Sequence, residues 1–284
     1  MSTVRQVGDD LKALRAAVVG ASGGIGSAVV AELAGRGARV LATGRDADRL
    51  SALVASGATT LVLDVDDPQA PIGLAAAARE RLGGLDALIV AVGAIGPIGP
   101  TRSVDPHGVL ENLRRGPVAA LGLVQACADL LDASPNASVT LFSGGGATDA
   151  FPRYTAYALE KTAIVRLVEN LAAEEPRWRV NAVAPGFVAT DIHDATLAAG
   201  ADAVGDAYFA ETQRRLDGEA VPASHAAELC AFLASDAAAG ISGRLISAVW
   251  DPWREPAGQE ALRSSRSFGR LRRIDGQWFA EAGG

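Results

Sequence analysis

Short apolar runs recur along this 284-residue chain, each followed by a longer amphipathic stretch. The runs cover 16–20, 38–43, 60–64, 87–92, 138–143, 179–184 and 244–248, and they are rich in Val, Leu, Ile and Ala. Near-continuous runs of this length predict strands buried on both faces, as in a parallel sheet. Stretches over 26–36, 46–56, 68–82, 106–131, 154–175 and 224–235 carry helical patterns. Parallel neighbours cannot be joined by a tight hairpin, because the chain has to return to the starting edge. A crossover helix makes that return. Regular strand–helix alternation therefore predicts an α/β fold, a doubly wound parallel sheet with helices on both faces.

At this length one α/β domain with a well-buried core is expected over residues 1–250. Two regions break the alternation. Residues 187–222 are rich in Ala, Asp and Gly without a strong period, and they follow a strand's carboxyl end. A doubly wound sheet has its ligand crevice there, so they read as a partly helical substrate lid. Its acids (Asp191, His193's neighbour Asp194, Asp202 and Asp206) point to a small polar substrate, although acids in a lid also commonly face solvent. Residues 251–284 form a C-terminal extension with Trp253, Trp278 and six arginines, just after Trp250. Its aromatics argue against full disorder and for packing on the domain or on a neighbouring subunit.

A net charge of -7 argues against nucleic-acid or anionic-membrane partners, since both favour a basic face. Cys127 and Cys230 show no CxxC or metal-ligand spacing and read as buried reduced thiols. His107, His193 and His225 are scattered and indicate no metal site. Residues 1–14 lack the apolar core of a signal peptide, and no run approaches the roughly 20 apolar residues that cross a bilayer. The expectation is a cytoplasmic protein.

Val18-Val19-Gly20-Ala21-Ser22-Gly23-Gly24-Ile25-Gly26 runs from a predicted strand through a glycine-rich turn into a helix. Gly20, Gly24 and Gly26 let the backbone bend sharply and let a phosphate approach helix N–H groups, whose dipole favours a pyrophosphate. A glycine-rich run alone is weak, but its place between a buried strand and an amphipathic helix strengthens it. At the end of the second strand an acidic side chain would bond a ribose 2′-hydroxyl. Gly44 stands there instead, followed by Arg45. A guanidinium suits a 2′-phosphate, so NADP(H) is favoured over NAD(H). The plainer reading of Arg45 is an exposed residue opening a helix, with Asp46 as cap and partner.

Tyr157 and Lys161 lie four residues apart in a predicted helix and share one face. A free tyrosine titrates near 10. The neighbouring ammonium is expected to bring the phenol down toward working pH, where it moves a proton to or from a carbonyl or alcohol.

These motifs resemble the short-chain dehydrogenase/reductase family over residues 14–250. The resemblance implies a Rossmann-like three-layer α/β/α sandwich with a mainly seven-stranded parallel sheet. It implies NAD(P) chemistry, with Tyr157 as acid/base and Lys161 as its activator and a ligand of the nicotinamide ribose. Asn112, after the fourth strand, matches an Asn that helps order a water-linked proton relay; its plainer reading is a buried polar residue at a kink. Val180-Asn181-Ala182-Val183-Ala184-Pro185-Gly186 matches the segment after the sixth strand, and Thr190 a residue that binds the carboxamide. Asp64 matches the family's aspartate near the adenine, or else caps the turn over 64–68. Ser22, Gly23, Ile25, Val65, Gly93, Pro185, Gly186 and Val188 complete the implied cofactor contacts. A homo-oligomer, dimer or tetramer, is implied as well, built on the helices around Asn112 and Tyr157.

The chain also departs from the family. Val19 replaces a Thr before the glycine turn, and Val90-Ala91-Val92-Gly93 replaces Asn-Asn-Ala-Gly, keeping only Gly93. The family's catalytic Ser lies 12 or 13 residues before the Tyr, where this chain has Gly145 and Gly144; Ser143 is one place earlier. Ser143 swings in to serve, or Thr148 or a backbone N–H takes the role, or the site no longer turns over. The expected function is an NADP(H)-dependent ketoreductase or alcohol dehydrogenase acting on a small molecule. An NAD-dependent alcohol dehydrogenase and a dinucleotide-binding sensor or scaffold without turnover are the alternatives. The divergence fits a place in secondary metabolism, though no residue shows it.

Overall fold

The computed structural model describes residues 10–273. Its strands are β1 (Arg15–Val19), β2 (Arg39–Gly44), β3 (Thr59–Val62), β4 (Ala87–Val90), β5 (Ser138–Phe142), β6 (Arg179–Ala184) and β7 (Arg244–Ser247). They form one parallel sheet in the order β3-β2-β1-β4-β5-β6-β7. The order reverses direction between β1 and β4, so the loops leaving those strands part and open a crevice. Register keeps the strand ends level: Val19 pairs with both Thr43 and Val90, and Val90 with Leu141. The loops after β1, β2, β4 and β5 therefore leave the sheet at one rim.

The helices are α1 (Gly24–Gly35), α2 (Ala47–Leu53), α3 (Ala70–Ala77), α4 (Pro106–Leu113), α5 (Ala119–Asp132), α6 (Thr155–Glu174), α7 (Asp194–Val204), α8 (Asp206–Arg214), α9 (Ala223–Ala234) and α10 (Pro256–Ser264). Successive strand residues point to opposite faces, which divides the core in two. Val18 packs with Val30 and Leu33 of α1 and with Leu229 and Leu233 of α9. Ala17 and Val19 pack on the other side, with Leu74 of α3, Leu123 of α5 and Val168 of α6. Cys127 and Cys230 are free and buried, one on each face. Burial pushes the Cys127 thiol up to about 12 and Cys230 higher still.

The helix expected over 106–131 is interrupted. α4 widens into a π turn at Arg114–Val118 before α5 continues. Pro117 lies inside that turn; it has no N–H to donate and its ring crowds the preceding carbonyl, so a regular helix cannot run through it. Arg114 and Arg115 both reach Asp66 from this turn. A second π turn, Ala78–Leu82, ends the helix expected over 68–82.

After β7 the chain turns back over the domain. Trp253 and Leu262 of the extension are buried against the α1/α9 face. The Leu245 amide donates to the Gly269 carbonyl, and Arg244, buried, donates to the Phe268 carbonyl at 2.7 Å. Trp278 lies outside the described residues. Among the described residues no helix is long and apolar enough to cross a membrane, and no group of three or more His, Cys, Asp or Glu side chains is placed to hold a metal ion.

Candidate active site

The glycine turn forms a tight cradle at the rim. Gly20 has φ +87°, and a Cβ there would stand 2.6 Å from the Ala91 carbonyl oxygen. A Cβ on Gly26 would stand 2.2 Å from the Gly20 carbonyl oxygen, so only glycine lets α1 start so close to the turn. The Gly23 N-cap supplies no side-chain acceptor and the first turn holds no acid. The first N–H groups of α1, from Gly24 through Ile25 to Gly26, are thus left for an anion that the helix dipole favours. The Thr190 methyl closes over Gly24, 2.7 Å from where a Cβ would be. A dinucleotide pyrophosphate fits this uncapped cradle once the Thr190 side chain gives way over Gly24. Pro185, Gly186 (φ +83°) and buried Val188 carry the chain from β6 toward it.

At the end of β2 a Cβ on Gly44 would lie 2.5 Å from Ser22 Oγ. Ser22 therefore occupies the space an acidic residue at 44 would need. Asp46 caps α2 by accepting from the Arg49 amide at 2.9 Å, and its other oxygen lies 3.5 Å from Arg49 Nε. Asp46 is thus committed to Arg49, and exposed Arg45 has no hydrogen-bond or ion-pair partner among the described residues. Arg49 also pairs with Asp191, linking α2 to the segment after β6. Asp64 is exposed and accepts from the Asp66 amide at 3.0 Å, the turn role expected as its alternative; Val65 beside it is half-buried.

α6 brings the candidate pair Tyr157 and Lys161 together. Lys161 Nζ lies 5.1 Å from the Tyr157 ring centroid and donates to Glu160 Oε1 at 2.8 Å. Asn112 Nδ2, from α4, donates to Glu160 Oε2 at 2.7 Å and to the Ala156 carbonyl at 3.3 Å. Asn112, Glu160 and Lys161 are all buried. Glu160 was not legible as a site residue; the available signal was a charge next to Lys161 on a helix that packs into the core. Burial disfavours the Lys161 ammonium, but Glu160 and Tyr157 outweigh it and hold its pKa above the ordinary lysine value. Burial raises the Tyr157 phenol above its ordinary value; Lys161 pulls it down and Glu160 pushes it up. In the protein alone the ammonium therefore does not lower the phenol toward working pH, which corrects that expectation: burial outweighs the ammonium and Glu160 adds to the rise.

Ser143 is corrected too. Its hydroxyl is buried and donates to the Lys161 carbonyl at 2.9 Å, which fixes α6 to the end of β5. Thr148 is exposed and donates to Asp149 at 3.3 Å. The residue beside the phenol is Gly144, whose Cβ would stand 2.9 Å from Tyr157 Oη. Among the described residues the Gly144 and Gly145 amides have no acceptor. Of the stand-ins for the missing hydroxyl, backbone N–H donors thus remain. Gly93 gives Lys161 its space: a Cβ there would lie 2.8 Å from Nζ.

The segment 187–222, expected as a lid, contains α7 and α8. Asp191, Asp194, Asp202 and Asp206 are exposed, as acids facing solvent would be. Ile192, Tyr208 and Phe209 instead pack toward Ile95, Phe151, Tyr154 and Tyr157. Phe151 stacks on Tyr154 with centroids 4.6 Å apart and meets Tyr157 edge-on at 6.0 Å. His193 stacks on Phe187, and burial lowers its pKa.

A family model described as enoyl-(acyl carrier protein) reductase matches residues 20–248. Cis-4-hydroxycyclohexanecarboxylate dehydrogenase of Sinomonas cyclohexanicum is 32% identical over 243 residues, covering 82% of this chain and 93% of that protein. A tropinone reductase homolog of Arabidopsis thaliana is 30% identical over 247 residues, covering 83% of this chain and 78% of that protein. A chain described as a short-chain dehydrogenase of Shigella flexneri, complexed with NADP, superposes with a TM-score of 0.74 at 23% identity, covering 84% of this chain and 98% of that one.

Proposed function

The chain belongs to the short-chain dehydrogenase/reductase family and is an NAD(P)-dependent oxidoreductase; we propose that it uses NADP(H) to interconvert a ring-borne ketone and its secondary alcohol. The observation that carries this reading is Tyr157 set beside Lys161 on α6, at the rim where the glycine cradle opens. The cradle from Gly20 to Gly26 would hold the pyrophosphate, Arg45 the 2′-phosphate, and Lys161 the nicotinamide ribose. NADPH bound there supplies hydride from nicotinamide C4. Tyr157 gives its phenolic proton to the carbonyl oxygen as the carbonyl carbon is reduced. The Gly144 and Gly145 amides are available to orient that oxygen, a role worth about 2.7–4 kcal/mol where it has been removed elsewhere.

Arg45, without a hydrogen-bond or ion-pair partner among the described residues, and the space that Ser22 takes beside Gly44 support NADP(H), and the Shigella structural neighbour was solved with NADP. The aromatic surface around Tyr157 supports a carbonyl carried on a ring; one curated relative is named for a hydroxycyclohexanecarboxylate and another as a homolog of a tropinone reductase. Exposed Leu110, Val118 and Leu159, on α4, the wide turn and α6, support a homo-oligomer. A single catalytic domain over 1–250, in the cytoplasm, belongs to the same reading. The second reading, a dinucleotide binder without turnover, rests on Gly144.

The test is NADPH consumption, with NADH in parallel, against cyclic and bicyclic ketones. Turnover that vanishes in Tyr157→Phe while NADPH affinity stays is the expected outcome. Turnover that survives in Tyr157→Phe would overturn the assignment of the acid, and tight NADPH binding with silence across the panel would favour the second reading.

A further inference from the structure

Glu160 is an ionisable group that the chemistry above does not use. It is only 1% exposed, and both of its carboxylate oxygens are engaged: Oε1 by Lys161 and Oε2 by Asn112. Two glycines make room for it. A Cβ on Gly116 would stand 2.5 Å from Glu160 Cγ, and one on Gly93 would stand 3.2 Å from Oε1. The π turn that carries Gly116 thus brings backbone against the Glu160 stem where a side chain would displace it. A residue that only filled this space would not need a charge, and burying one is costly unless it is paired.

We propose that Glu160 is a positioning residue of the reaction: its carboxylate draws Lys161 and Asn112 into one buried network and keeps the Tyr157 phenol in its proton-donating form. The inference rests on the oxidoreductase reading for its meaning, but not for its test. An ammonium alone beside a phenol favours the phenolate. Here the ammonium is paired with a carboxylate at 2.8 Å, which cancels part of its field at Tyr157 and adds to the effect of burial. The titratable groups that face Glu160 are Lys161 and Tyr157, both on α6. α4 presents Asn112, the π turn Gly116 and the loop after β4 Gly93, none of them charged. Lys161 spends one of its three donors on Glu160, which fixes the ammonium and leaves the others for a ligand. A phenol kept protonated is the starting state for carbonyl reduction, whereas alcohol oxidation starts from the phenolate.

The test reads Tyr157 directly. The chain has three tyrosines, so ¹³Cζ-tyrosine NMR gives three signals, and the one lost in Tyr157→Phe is that of Tyr157. In the unsubstituted protein Tyr157 is expected to titrate above the ordinary value of about 10. In Glu160→Gln, which keeps the shape and removes the charge, the midpoint is expected to fall by at least about one pH unit, a tenfold change in the ionisation constant. Glu160→Asp, which keeps the charge, is expected to stay near the parent. An unchanged midpoint in Glu160→Gln overturns the proposal, as does a fall in Glu160→Asp as large as in Glu160→Gln. If Glu160→Gln does not fold, Glu160→Met, which also removes the charge at similar length, is read instead, and an unchanged Tyr157 midpoint there overturns the proposal. No substrate enters this measurement, so silence in the turnover assay and failure here are separate results.

Discussion

Gly144→Ala is expected to destabilise the protein only while the Tyr157 hydroxyl is present. The added Cβ would stand 2.9 Å from Tyr157 Oη and 3.9 Å from Cζ. Unstrained heavy-atom contact lies near about 3.5 Å, so the hydroxyl has to retreat by roughly half an ångström. Overpacking of this kind costs about 1–3 kcal/mol, and Oη sits at the end of a side chain that can swing, which puts the cost near ~1 kcal/mol. For a chain of this size that lowers Tm by about 2–4 °C. In a Tyr157→Phe background the oxygen is gone and the nearest remaining ring atom is already at an ordinary distance. The penalty should then vanish, leaving a coupling of about 1 kcal/mol between the two sites. Thermal unfolding of the parent, the two single variants and the double variant measures it. An equal drop in both backgrounds would refute the placement of the phenol against Gly144. The same retreat should also slow turnover about tenfold, since a misplacement of 1 Å costs roughly 10²-fold.

Arg45→Asp is expected to reverse the NADPH-over-NADH preference, read from the two dissociation constants, because it replaces the free guanidinium with a carboxylate that repels a 2′-phosphate. Gly44→Asp alone should weaken both cofactors, since its Cβ meets Ser22, and Ser22→Gly should relieve that loss for NADH. At the opposite rim, Asp86 accepts from Arg15 Nε and Nη2 and from Ser134. Burial pushes its carboxyl up, but the bonds from Arg15 and Ser134 outweigh this and hold it below its ordinary value. A carboxyl lowered on folding contributes stability above its ordinary value and loses it as pH falls through the lower folded one. Asp86→Asn should therefore cost about 1–2 kcal/mol in urea unfolding at pH 7, with the gap closing below about pH 4. A gap that stays constant down to acid pH would sink that account.

The order of strands and helices was legible because it is written in local periodicity. All seven strand runs became strands; continuous apolar runs are satisfied by covering both faces of the sheet, except at the edge strand β3, where Thr59 and Val62 stay exposed. The glycine turn was equally readable: a backbone at φ +87° with a carbonyl 2.6 Å from the missing Cβ leaves glycine as the residue that fits. Tyr157 and Lys161 needed only helical spacing to share a face. Pro117 was visible in the sequence, but its consequence, a wide turn that splits the expected helix, was not read from it.

The remainder of the site depends on which side chains distant segments bring together. Helical spacing says nothing of a contact between Glu160 and its immediate neighbour Lys161; two long side chains converge there because Gly93 and Gly116 arrive from elsewhere without side chains to block them. Ser143 stood one residue from the family's position, and β5 turned it onto the Lys161 carbonyl, leaving Gly144 beside the phenol. The lid's acids dominate its composition, yet packing sends them to solvent and turns Tyr208 and Phe209 inward. Local sequence therefore determined the sheet, the cradle and the reactive pair, because each follows from backbone geometry within a few residues. The charge balance around Tyr157 and the character of the substrate surface were decided only in the folded chain, because both are sums over residues far apart in sequence.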